Sequence, residues 1–255
     1  MVHGLQPNFW AWWQLAPESS IPLLLLAYLF FTLSKANPIS RRDQSCFYLG
    51  LLSVVLVVNT PIGTHAATLF WCHMIQHMVL MMISGPLLVL GSVAHFKPKN
   101  SLFEYLTNPW ISWAIYAALM MGIHFTTLHA IVMKNLWIHN FIEVPAYVIV
   151  AYLFYYNLLD KKTPQSRISP AISVFSLFFM MVPETLTGFF IYVAPKSLYE
   201  NMFEINDQRL GGSLMWSGSM IIDTGWLAFA VFHWIKSEER KSIAVDAEIA
   251  AENRK

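Results

Sequence analysis

The residues best suited to chemistry fall in one run, LFWCHMIQHMVLMMISGPLLVLG, at positions 69–91. His73 and His77 are four apart and share a helix face. At about 100° per residue Met81 falls on the same arc, with Met74 and Met78 on its flank. Imidazole and thioether donors on one face make a surface for a soft cation. The run also has the length of a bilayer crossing, which takes about 20 apolar residues. Polar groups are costly in hydrocarbon, so their presence there marks function.

Other runs carry matching groups. His124 has Met120 and Met121 one turn deeper, whereas His129 lies about 140° around from it, so an unbroken helix cannot aim both at one point. His139 and Glu143 are four apart, and the carboxylate can orient an imidazole. Glu184 is expected deeper, against polar partners, and Asp223 near the bilayer midplane with no assigned role. Methionine is a common gap filler, so Met74 and Met81 gain weight only from their direction. Cys46 and Cys72 lie towards opposite ends of neighbouring apolar runs and are not expected to pair. Cys72 points about 100° away from His73, which makes it a weaker donor than the methionines.

Helices must position these groups. The chain is 56% hydrophobic and 12% charged, where soluble domains run near a quarter charged. The pattern predicts an all-α polytopic membrane protein with seven transmembrane helices, at about 18–34, 46–62, 69–91, 110–132, 138–159, 170–193 and 210–236. These form one domain, 1–236, followed by a charged tail, 237–255. Thirteen of the 16 Lys and Arg fall at 35–45, 92–109, 160–169 and from Lys236 onward, leaving Lys134, Lys196 and Arg209 for the alternate loops. That asymmetry puts the N-terminus outside and the tail in the cytoplasm. Residues 1–17 lack a basic start, and Trp10, Trp12 and Trp13 read as an interfacial anchor rather than part of a cleaved signal. Seven histidines then lie at or near the outer side: His3, His65, His73, His77, His124, His129 and His139. His95 and His233 lie on the inner side. Gly85-Pro86 is expected to bend the third helix and free backbone groups that a neighbour must satisfy.

No G-x-S-x-G, Gly-rich phosphate loop, H-E-x-x-H or CxxC occurs, so the expectation is a protein that is not an enzyme. Nothing points to nucleic acid. Thioether with imidazole favours Cu(I) over oxygen-seeking ions, and zinc gains nothing from methionine. Haem is the rival cofactor, with His73 or His77 paired to His124 or His139. A third reading makes the histidines interhelical hydrogen-bonding groups in a metal-free chaperone.

The run CHMIQHMVLMMISGPLLVLG resembles the signature of the CtaG family of cytochrome c oxidase assembly factors, which carries H-M-x-Q-H and a Pro-Leu-Leu-x-Leu-Gly end. DQRLGGSLMW is similar to the family's D-Q-x-L-G-G-x-x-M-W. The likeness covers about residues 45–236, more weakly through His124 and His139 to Glu143. After Trp216 the sequence departs, with SGSMIID in place of a more apolar, Gly-rich continuation. The resemblance implies a multi-pass protein of the bacterial plasma membrane that helps to mature aa- or caa-type oxidases and supplies them with copper. Its partners would be oxidase subunits and a periplasmic copper donor. His73, Met74, Gln76 and His77 fall on the first motif. Asp207, Gln208, Gly211, Gly212, Met215 and Trp216 fall on the second, where an outer loop 194–209 would form the rim of the site or a docking surface.

Overall fold

The structure is a computed structural model that describes residues 8–93, 96, 100–159, 168–199 and 202–253. His3 and His95 lie outside these, as do Lys97, Lys99, Lys161, Lys162 and Arg167 of the expected inner loops. Among the described residues the chain is helical, without strands. The principal helices are α1 (Pro17–Ala36), α2 (Arg41–Asn59), α3 (Phe70–Ser92), α4 (Pro109–His124), α5 (Leu128–Lys134), α6 (Leu136–Leu159), α7 (Pro170–Val193) and α8 (Ile205–Glu252). Five of them, α1, α3, α6, α7 and α8, are long and apolar enough to cross a membrane, and α4 with α5 makes a sixth if that bent pair is one span. α2 occupies the place of the second expected span, but it starts on Arg41, Arg42 and Asp43, which shortens its apolar part.

α3 is the centre of the bundle. In its apolar stretch 67% of residues are buried, against 6% in α1, whose Leu24, Leu25 and Leu29 face outward. α2, α6 and α8 pack around α3, while α7 joins α4 to α8. The run that carries His73, Gln76 and His77 is thus the one most enclosed by protein, as costly groups in hydrocarbon require.

Three π-helical turns interrupt the helices, at Val79–Ser84, His139–Glu143 and Leu214–Gly218. The first two stand just before Pro86 and Pro145. Proline offers no N–H, and a wide turn relieves its clash with the preceding carbonyls. The Met82 carbonyl, left without its helical partner by Pro86, accepts instead from the Trp226 indole of α8 at 2.7 Å. Ser84 donates to the Val79 carbonyl at 3.0 Å and meets Ser53 of α2 at 2.7 Å. The carbonyl that Pro86 frees is thus satisfied by a neighbouring helix, as expected of the Gly85-Pro86 bend.

Two boundaries differ from the sequence reading. The continuous span 110–132 is instead broken after His124, and α5 leaves at 72° to α4. Thr126 stabilises the break: its hydroxyl donates to the Gly122 carbonyl at 2.6 Å and accepts from the Leu128 N–H at 3.2 Å. The last helix begins at Ile205 rather than 210 and runs unbroken past residue 236 to Glu252. Asp207, Gln208, Gly211 and Gly212 are therefore helix residues and not the end of a loop.

Candidate metal centre

α3, α4, α5 and α6 deliver five imidazoles to one buried place. His73 and His129 are fully enclosed, and His77, His124, His139 and Glu143 are nearly so. The His73 and His77 rings are 4.0 Å apart between centroids; His73 lies 4.9 Å from His129 and 6.0 Å from both His124 and His139. His77 is 5.3 Å from His124. Two donor trios result, His73 with His124 and His129, and His73 with His77 and Glu143. Within each, ligand atoms lie within 4.8 Å of one another. His73 belongs to both.

Local bonds fix how the rings present themselves. The His139 Nδ1 donates to Glu143 Oε2 at 2.5 Å, and the His124 Nδ1 to the Met120 carbonyl at 2.6 Å. Each leaves its Nε2 as the free lone pair, the arrangement found where a ligating imidazole is held by its other nitrogen. His73 and His77 face one another through their Nε2 atoms at 2.6 Å, a contact that one proton mediates and that a cation could take over. Glu143 Oε1 stands 3.9 Å from His77 Nε2. Six imidazole nitrogens here are buried without a hydrogen-bond partner: both of His129, Nδ1 of His73 and His77, and Nε2 of His124 and His139. Each such atom costs about 1–3 kcal/mol. The two trios that share His73 bring nitrogen donors close enough to hold a cation between them.

His129 was set aside by helical spacing, and the break at residues 125–127 is what turns it inward. Its only advance signal was Gly122 with Thr126 and Thr127, residues that weaken a helix. A cover closes over it: the Tyr199 ring lies tilted against His129 at 4.2 Å between centroids, and Phe70 packs on Tyr199 and Phe203.

The second motif positions the first. Leu69, at the start of α3, has no side chain able to cap it, and Asp207 of α8 does so from across the bundle. Asp207 Oδ2 accepts from the Phe70 N–H at 2.7 Å and Oδ1 from the Trp71 N–H at 3.2 Å. Asp207→Ala is expected to lower stability by about 1–2 kcal/mol, while Asp207→Asn, which keeps one of the two accepting oxygens, loses less. Thermal midpoints in detergent check this; equal losses for the two would reject the cap. Gln208 accepts from the Leu198 N–H at 2.8 Å and donates to the Ile191 carbonyl at 3.2 Å, tying down the loop before α8. A Cβ on Gly211 would lie 2.4 Å from the Phe70 ring, and one on Gly212 2.7 Å from the Tyr192 nitrogen, so both allow close approach. Met215 is buried, and Trp216, half-buried, packs on Phe189 and Tyr192. The expected rim is an internal brace.

The remaining residues are placed as follows. Met74 is fully buried and lines a small cavity beneath His77; Met81 is also buried but is absent from that lining. Met78, one regular turn beyond Met74, reaches the cavity by ordinary helical spacing, and the π turn at Val79–Ser84 shifts the phase so that Met82 reaches it in place of Met81. Glu184 is fully buried and accepts from the Tyr116 hydroxyl at 2.6 Å, with Asp223 interacting with the same carboxyl. Gln76 is buried, its Oε1 without a partner. Cys72 is buried in neither trio. His65 stacks on Phe9 at 4.8 Å and bonds the Pro61 carbonyl, and His233 bonds the Phe229 carbonyl at 2.9 Å.

Comparison with known proteins adds an independent line. The family model for the cytochrome c oxidase caa3 assembly factor matches residues 24–237. Uncharacterized proteins of Mycobacterium leprae and Mycobacterium bovis are each 20% identical to this chain, over 77% and 75% of its length. The chain spans about a third of those relatives, 35% and 34% respectively. No solved structure matches.

Proposed function

The chain belongs to the family of cytochrome c oxidase caa3 assembly factors, and from that premise we propose that it binds Cu(I) at the imidazole cluster and passes it to an oxidase subunit. The observation that carries this reading is the six buried, unpartnered imidazole nitrogens around His73. His73, His77, His124, His129 and His139 are the ligands; Glu143 holds His139 and supplies negative charge to the cation. Copper is cargo here, so its exchange is a change of ligands with no electron transferred. The bundle crosses a bacterial plasma membrane seven times, with the cluster in its outer half and the end of α8 in the cytoplasm, in keeping with the positive-inside rule. A periplasmic donor would then load the site from outside.

Haem is the weaker reading. The space beside His73 is filled by the rings of His77 and His129, at 4.0 and 4.9 Å between centroids, where a macrocycle would have to lie. Metal analysis and an absorbance spectrum on one detergent-purified, Cu(I)-loaded sample test the proposal. Bound copper without a Soret band is expected; protein free of copper overturns it. Glu143→Gln is expected to weaken Cu(I) binding roughly 10–100-fold, because it removes the carboxylate that orients His139. Competition with a Cu(I) chelator measures this, and an unchanged affinity would remove Glu143 from the site.

A further inference from the structure

Five of the chain's 13 methionines, Met74, Met78, Met82, Met120 and Met215, meet beneath His77, although they come from α3, α4 and α8. Methionine ordinarily fills irregular gaps. Here the side chains surround about 10 Å³ of free space, on the order of the room one water occupies. Gly218 belongs to the arrangement: a Cβ there would lie 2.7 Å from the Met78 methyl carbon, so glycine leaves room for that thioether. Glu184 also lines the space. Its Oε1 takes the Tyr116 hydroxyl, and Asp223 of α8 interacts with the same buried carboxyl.

Resting on the Cu(I) reading above, we propose that this cavity is a second Cu(I) site, of thioether character, joined to the imidazole cluster through His77. His77 lines the cavity and also stands 2.6 Å from His73, so one residue touches both places. The chemistry narrows the ligand. Hard cations require several oxygens, and here Glu184 and Ser219 are the only side chains in the lining that offer any. Soft thioethers select Cu(I), and a single carboxylate compensates a single positive charge in surroundings where an unpaired ion is expensive. Movement between the sites exchanges imidazole for thioether ligands; copper stays Cu(I) throughout.

The test is copper stoichiometry with X-ray absorption at the copper edge, on full-length protein loaded with Cu(I) under reductant. Wild type is expected to hold two Cu(I) per chain with both nitrogen and sulfur scattering. Met82→Leu/Met215→Leu, which nearly conserves volume, is expected to hold one Cu(I) with nitrogen scattering and a reduced sulfur signal. Wild-type protein that binds one copper, with or without sulfur scattering, overturns the second site and leaves the imidazole site standing. Wild-type protein without copper overturns both. An unchanged sulfur signal in the double variant overturns the methionine assignment. If the variant fails to fold, the wild-type stoichiometry and spectrum still decide.

Discussion

Protein carrying His73→Ala and His77→Ala is expected to retain no copper at the imidazole cluster and to fail in supporting oxidase maturation. His73 serves both donor trios, so its loss leaves each with two donors. Removing His77 as well takes away the ring that faces it at 2.6 Å. The effect should exceed the roughly 10–100-fold expected when only a ligand's hydrogen-bond partner is lost. The single variants should be ordered: His73→Ala affects both trios and should weaken binding more than His77→Ala, which affects one. His65→Ala is the control, since His65 is bonded to Pro61 and stacked on Phe9, in neither trio. Copper per chain after dialysis against a chelator reads all four proteins. Equal copper in the double variant and wild type would sink this site, and a reversed order of the single variants would displace His73 from its centre.

A large effect on stability is expected from an alanine at Gly212. Its Cβ would sit 2.7 Å from the Tyr192 nitrogen and 2.9 Å from the Gly188 carbonyl oxygen, both backbone atoms of α7. Backbone cannot rotate aside, so α7 and α8 would have to separate. Overpacking of this kind costs about 1–3 kcal/mol and sometimes more, and small residues are what let membrane helices approach closely. Gly225, further along α8, has nothing within 4 Å of its own Cβ position. The same substitution there should be neutral or stabilising by up to about 1 kcal/mol, because alanine is the better helix former. Thermal unfolding midpoints in detergent should therefore move in opposite directions. A common shift would mean that packing at Gly212 is looser than the structure has it.

Much of the site was legible because it depends on local spacing. His73 with His77 needs only the four-residue repeat of a regular helix, and His139 with Glu143, also four apart, meets across a π turn. What spacing alone missed follows from places where the helix departs from its ideal period. His129 enters because α4 breaks after His124, and an argument from an unbroken helix had to exclude it. Met82 replaces Met81 at the cavity because a π turn changes the phase of α3. The proline that accompanies that turn was visible, but its effect on side-chain direction was not. Asp223 had no readable role because its neighbour, Glu184, lies on a different helix. Asp207 was assigned to a rim since nothing in sequence shows which helix end an acid will reach from across a bundle.

The reach of Asp207 also bears on how the protein is made. Asp207 and the Phe70 N–H it holds are 137 residues apart in the chain. At about 5–20 residues per second of synthesis, roughly 7–27 s pass between the appearance of the histidine helix and that of its cap. During that interval the start of α3 lacks the carboxylate that satisfies it, and Gly211, which leaves room for the Phe70 ring, has not been made either. The imidazole cluster is thus among the last parts of the molecule to mature. A nascent chain can have all its cluster histidines synthesised and still lack the finished arrangement until its final helix has arrived.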